Sequence, residues 1–248
     1  MIQEKKAPLR RIALVLFLSL AAGCALLQPI AVPMPVIERS VGPAGGERIL
    51  LVLLHGRGDR AARFFEKRFD EIARETGRSF HLVAAEAHLG YYMKGQVETR
   101  IREDILVPAR KQGFSQVWLV GVSMGGLGAL AVAERHPEEI DGVIVLAPYL
   151  GSPKVLDSVS RGAPLPERLG AEDVRTKELW AWLRSRNPET RPRILVGVGE
   201  SDRFLESNRL LAGLQPPGRF VEIPGGHDWT TWKALFRWAL DHPAGPGR

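Results

Sequence analysis

The chain has 248 residues, 45% of them hydrophobic and 25% charged, enough for one sizeable α/β core and short for two. Its net charge of +6 is inflated by residues 1–23, where Lys5, Lys6, Arg10 and Arg11 stand against Glu4, and without them it falls to +3. The other Lys and Arg residues are scattered and not clustered with aromatics, which argues against a nucleic-acid footprint. The only cysteine, Cys24, has no partner for an internal disulfide.

Met1 to Arg11 is basic, and Ile12 to Ala22 is an uninterrupted uncharged run ending in the small residues Ala21-Ala22-Gly23. That is the layout of an export signal over residues 1–23. Cys24 follows at once, and the junction resembles the lipobox of bacterial lipoproteins, with Ala21 departing from the commonest leucine. The resemblance implies a lipid on Cys24 and a membrane protein of the bacterial cell envelope, facing the periplasm or cell surface. The alternative is an uncleaved anchor, although Pro29 interrupts the apolar run short of the roughly 20 residues that a spanning helix needs. Pro29, Pro33, Pro35 and the run Gly42-Pro43-Ala44-Gly45-Gly46 make residues 24–46 read as a linker. Within it Val36 to Ser40 is a candidate edge strand.

Residues 47–242 alternate strand and helix patterns, and 243–248 read as a tail. Ile49 to Leu54 is an aliphatic run ending in His55-Gly56-Arg57-Gly58-Asp59; a helix carrying Phe65, Phe69 and Ile72 follows and stops at Gly77. Phe80 to Ala85 predicts a strand, then a loop with His88, Gly90, Tyr91 and Tyr92, then a helix from Val97 to Val107 that Pro108 ends or kinks. Val117 to Val120 and Gly142 to Leu146 predict buried strands. Residues 148–191 are Pro-interrupted and only partly helical, with Leu179, Trp180 and Leu183 on a short amphipathic piece; this segment is read as a small cap. Arg193 to Gly199 and Phe220 to Ile223 are the last strands. The closing helix places Trp232, Leu235, Phe236 and Ala239 on one face. Such alternation implies a mainly parallel sheet of about six strands in a single α/β domain, with ligands bound off the strands' carboxyl ends.

The chemistry centres on Gly121-Val122-Ser123-Met124-Gly125, a G-x-S-x-G pattern between a strand and a Gly- and Ala-rich helix. A serine at so tight a turn projects its hydroxyl off the sheet, and bulky neighbours two residues either side would collide. Serine needs a base, and the base needs an acid to orient it. The candidates are His227, with His55 and His136 as rivals, and Asp202, with Glu200 and Asp228 as rivals. The order Ser123, Asp202, His227, the strands before each, and the loop His55-Gly56-Arg57-Gly58 together resemble the α/β-hydrolase superfamily from Ile49 to Leu240. The resemblance implies a Ser123-His227-Asp202 triad, an oxyanion hole formed by the backbone N–H groups of Arg57 and Met124, and hydrolysis of carboxylic esters through an acyl-enzyme without metal or cofactor. Thioesters, lipid esters and acyl transfer could run on the same residues, and a non-catalytic binding lipoprotein on the same fold is a further reading. Tyr91, Tyr92, Tyr149 and Trp180 are candidates to line the substrate pocket. The Arg57 side chain could reach an acidic substrate group or simply be solvated.

Overall fold

Six consecutive aliphatic residues, Ile49 to Leu54, cannot all point to one side of a strand, so they must supply both faces of a sheet covered on each side. In the computed structural model, which describes residues 28–44, 47–165 and 171–248, Ile49, Leu51 and Leu53 enter one core while Leu50, Val52 and Leu54 enter the other. The strands are β1 (Val36–Val41), β2 (Ile49–Leu54), β3 (Phe80–Ala85), β4 (Gln116–Val122), β5 (Gly142–Leu146), β6 (Arg193–Gly199) and β7 (Phe220–Ile223). They form one seven-stranded sheet in the order β1-β3-β2-β4-β5-β6-β7. β2 to β7 pair in parallel, and β1 runs antiparallel along the edge of β3. The carboxyl ends of the six parallel strands therefore share one rim.

The helices are α1 (Ala62–Glu66), α2 (Phe69–Arg74), α3 (Leu89–Met93), α4 (Val97–Ile101), α5 (Val107–Lys111), α6 (Met124–Arg135), α7 (Pro153–Ser160), α8 (Ala171–Ser185), α9 (Leu205–Ala212) and α10 (Trp229–Asp241). One core takes Val97 and Ile101 of α4, Leu127 and Leu130 of α6, and Leu179, Trp180 and Leu183 of α8. The other takes Phe69 and Ala73 of α2 and the expected face of α10, including Trp232, Leu235, Phe236 and Ala239. The single helix expected around Phe65 to Ile72 is two, because Arg68 adopts a left-handed conformation at φ 66° between them. Pro108 does not end the helix begun at Val97. A π turn over Arg102–Leu106 joins α4 to α5, and Pro108 follows just after that widened turn.

Three boundaries differ from the sequence reading. Residues 24–46 are not a free linker throughout. Met34 is only 3% exposed, its N–H donates to Asp104 at 2.8 Å, and β1 covers the backbone edge of β3, an edge that would otherwise be unpaired. The segment 148–191 is largely the β5-to-β6 crossover that a parallel pair requires. Leu179, Trp180 and Leu183 share a core with Val143, Ile194 and Val196, and the Trp180 indole N–H donates to the Leu150 carbonyl at 2.8 Å. The tail at 243–248 is fastened down, with Arg78 donating to the carbonyls of Leu240 and Pro246 and the Gly247 N–H donating to Gln116 at 3.0 Å. The signal segment and Cys24 lie outside the described residues. Among those described, no helix is long and apolar enough to cross a membrane.

Candidate active site

β4 ends at Val122 and α6 begins at Met124, so Ser123 alone makes the turn, at φ 54° and ψ −118°. A β-carbon-bearing residue is strained there and persists only where its surroundings fix it. They do: the Ser123 N–H donates to the Leu146 carbonyl at 3.0 Å, and the Ser123 carbonyl accepts from Gly126 at 2.9 Å and Tyr149 at 3.0 Å. The flanking glycines are a packing requirement. A β-carbon on Gly121 would lie 2.3 Å from the Gly125 carbonyl oxygen, and one on Gly125 would lie 2.0 Å from that of Leu54. Without them α6 could not start directly above the ends of β2 and β4.

His227 arrives from the loop after β7, and Asp202 from the turn after β6. These exits abut so closely that a β-carbon on Gly199 would lie 2.4 Å from the Gly225 carbonyl oxygen, which sets the spacing between His227 and Asp202. His227 Nε2 is 3.0 Å from Ser123 Oγ, and Nδ1 is 2.8 and 3.0 Å from the two carboxylate oxygens of Asp202. The Asp202 side chain is 0% exposed, and it also accepts the Phe204 N–H at 2.8 Å. Phe204 and Trp232 flank the imidazole edge-on, each with its ring centroid 5.0 Å away. The ring is thus held by two hydrogen bonds along its plane and by aromatic contacts across it.

The rival residues are engaged elsewhere. Asp228 caps α10, accepting the N–H groups of Thr230 and Thr231 at 2.8 and 3.1 Å, and these bonds, that of Thr231 foremost, hold its carboxyl below the usual range. Glu200 is exposed. His136 caps the far end of α6, twelve residues beyond its Met124 start. His55 is fully buried, with Nδ1 2.9 Å from the Gly56 carbonyl and Nε2 3.6 Å from Glu86; that neighbour keeps the Glu86 carboxyl below its ordinary value. His136, Glu138 and Glu139 bring ligand-type atoms within 4.8 Å of one another, but Arg102 already pairs with Glu139 at 2.9 Å, which disfavours a cation.

The loop after β2 passes against Ser123: a β-carbon on Gly56 would lie 3.3 Å from that of Ser123. Arg57 follows, with its side chain exposed. Met124 opens α6, where the first N–H groups lack intrahelical partners and the helix dipole is positive. Asp59 ties this loop to the histidine side of the site by accepting the Trp229 indole N–H at 3.0 Å and the Arg63 guanidinium N–H at 3.3 Å. Sequence reasoning missed Asp59, Phe204 and Trp229 as supports, since their only signal was position beside the motif residues. Of the four aromatics proposed to line a pocket, Tyr149 comes nearest the triad, edge-on to Phe204 at 5.7 Å. Tyr91 and Trp180 are core residues. The Tyr92 hydroxyl is buried beside Gly128, and burial raises its pKa above the usual range.

The model of the Esterase family matches residues 104–242, a span that holds Ser123, Asp202 and His227. A monoglyceride lipase of Rattus norvegicus is 27% identical over 119 residues, which is 44% of this chain and only 37% of that relative's length. In fold the chain is similar to a monoacylglycerol lipase from Paleococcus ferrophilus, with TM-score 0.58 and 21% identity over 84% of this chain and 97% of the other. It is also similar to an S-formylglutathione hydrolase from Staphylococcus aureus, with TM-score 0.57 and 15% identity over 86% and 98% of the two chains. With the strand order, these likenesses show an α/β-hydrolase fold.

Proposed function

Because the chain belongs to the Esterase family, we propose that it is a serine hydrolase that cleaves carboxylic esters with Ser123, His227 and Asp202. The observation that carries this reading is the unbroken contact from Ser123 Oγ through His227 to Asp202, at 3.0 and 2.8 Å, behind a serine held in a strained turn. Ser123 Oγ attacks the acyl carbon while His227 Nε2 takes its proton. Asp202 fixes the tautomer with the proton on Nδ1 and stabilises the imidazolium that forms. Negative charge on the carbonyl oxygen is met by the Arg57 and Met124 N–H groups. Collapse breaks the ester C–O bond, and the alcohol leaves with the proton returned by His227. Water, deprotonated by the same imidazole, then attacks the acyl-enzyme and frees the acid.

Short-chain esters are the substrate class this reading favours, because the described part of 148–191 packs into the sheet's core and so leaves little chain for a large lid. The test is an acyl-chain-length series of p-nitrophenyl esters with wild type and Ser123→Ala. Turnover should be greatest on short chains, and the variant should lose on the order of 10⁴-fold or more in kcat/KM. A Ser123→Ala protein with wild-type turnover would end the proposal. On the same footing we read Cys24 as lipid-bearing, which places the enzyme at the cell envelope; metabolic labelling with a fatty acid should mark wild type and not Cys24→Ser.

A further inference from the structure

The chain enters its domain on the catalytic rim. β1 is antiparallel, with Val36 beside Ala85 and Val41 beside Phe80, so its first residue lies at the carboxyl end of β3, where the Ser123, Asp202 and His227 loops also emerge. Upstream residues are already fastened there. The Tyr91 hydroxyl donates to the Ala31 carbonyl at 2.9 Å and accepts the Ala31 N–H at 3.0 Å. The Gln28 carbonyl oxygen lies so near that a β-carbon on Gly90 would be 2.9 Å from it. The chain is thus committed to the domain surface from Gln28, and the four residues from Cys24 to that point span at most about 14 Å. A lipid on Cys24 would therefore hold this rim at the bilayer. The opposite end of the seven-residue β4 is about 23 Å further away at 3.3 Å per residue.

The chemistry of the rim suits that position. Val32, 66% exposed on the fastened segment, and Met93, 67% exposed on α3 beside it, are the most exposed large hydrophobic residues among those described. Lys94 adjoins Met93, and Arg57 and Arg203 stand on the loops after β2 and β6. All three are exposed, and none is ion-paired among the described residues. Exposed acids stand at this rim too, Asp228 and Glu200 next to the triad residues, but Asp228 is engaged in capping α10. Projecting apolar side chains beside unpaired cations match a membrane interface that contains anionic lipid.

We propose that Val32, Met93 and Lys94 dock on an anionic bilayer surface, so that Ser123 opens toward the lipid interface and meets esters there. This rests on the lipid-bearing reading of Cys24 and, for its catalytic meaning, on the esterase reading. The test uses the full-length lipidated protein in vesicles of phosphatidylethanolamine and phosphatidylglycerol with a minor fraction of spin-labelled phosphatidylcholine. An environment-sensitive fluorophore is placed on Met93→Cys or on Gln112→Cys, an exposed site at the amino end of β4, while the Cys24 thiol is blocked by its lipid. The Met93 probe should be quenched and blue-shifted, and the Gln112 probe should match the detergent-solubilised protein. Equal quenching at both sites, greater quenching at Gln112, quenching at neither, or an unlipidated Cys24 peptide by mass would each overturn the proposal. Fluorophosphonate labelling of the same vesicles separates the two readings: labelling without quenching rejects only the docking, and quenching without labelling rejects only the esterase.

Discussion

Replacing Gly125 by alanine places one methyl group against backbone. The new β-carbon would lie 2.0 Å from the Leu54 carbonyl oxygen, 2.5 Å from the Leu54 carbonyl carbon and 2.7 Å from the His55 carbonyl oxygen. Ordinary contact begins at 3.4 Å, so α6 and the end of β2 must separate by about 1.4 Å, and no rotamer change relieves an overlap with main chain. The first turn of α6 carries the Met124 N–H and is continuous with Ser123, while Leu54 leads directly into Gly56 and Arg57. Both proposed oxyanion donors therefore move relative to the nucleophile. Overpacking of this kind costs about 1–3 kcal/mol of stability, and a displacement near 1 Å at a reacting centre costs roughly 10²-fold in rate. Steady-state kinetics on a p-nitrophenyl ester, paired with urea unfolding, should show kcat lowered about 10²-fold while the protein still unfolds cooperatively. A folded Gly125→Ala enzyme with kcat within a few-fold of wild type would refute the link between this glycine, the placement of α6 and the oxyanion hole.

Met34→Ala should cost about 2–5 kcal/mol, as core truncations do, and a chain beginning at Pro35 should be weaker still because it also loses the hold of Tyr91 on Ala31; urea midpoints measure both, and an unchanged midpoint would put residues 28–34 outside the domain. Asp228→Ala should cost about 1 kcal/mol near neutrality through the lost cap. The carboxyl of Asp228 is held below its ordinary value, so its contribution is complete above the unfolded value near pH 4 and fades as acid titrates it through the lower folded value. The stability gap between wild type and variant should close in strong acid, and a gap that persists there would contradict the cap.

The parts legible in the sequence were those whose signal is local. Six aliphatic residues in a row announce a strand covered on both faces, and a serine between spaced glycines at a strand-to-helix junction announces the turn that the structure shows at φ 54°. The α/β-hydrolase resemblance implies Asp202 and His227, after the last two strands, as acid and base, and the fold brings the two into contact with one another and His227 onto Ser123. What stayed hidden depends on pairing across long separations. Val36 to Ser40 is readable as an edge strand, but five of the six residues of Val36–Val41 are exposed, so no apolar pattern told that it pairs antiparallel with β3, and Met34 is a single core residue among prolines. The helix Ala171–Ser185 lies in a Pro-interrupted segment whose sequence shows only a short amphipathic piece and so suggests a cap, whereas the geometry of a parallel β5–β6 pair demands a crossover in that place. Phe204, Trp232 and Asp59 steady His227 and the loop after β2 through tertiary contacts that no spacing encodes.

The account depends most on Ser123 being a nucleophile activated by the imidazole at its side. Folded protein treated with a fluorophosphonate and mapped by peptide mass spectrometry should carry the adduct on Ser123, and His227→Ala should lose the label while keeping its fold. Labelling at another serine, or an unlabelled Ser123 in protein that still turns over esters, would contradict it.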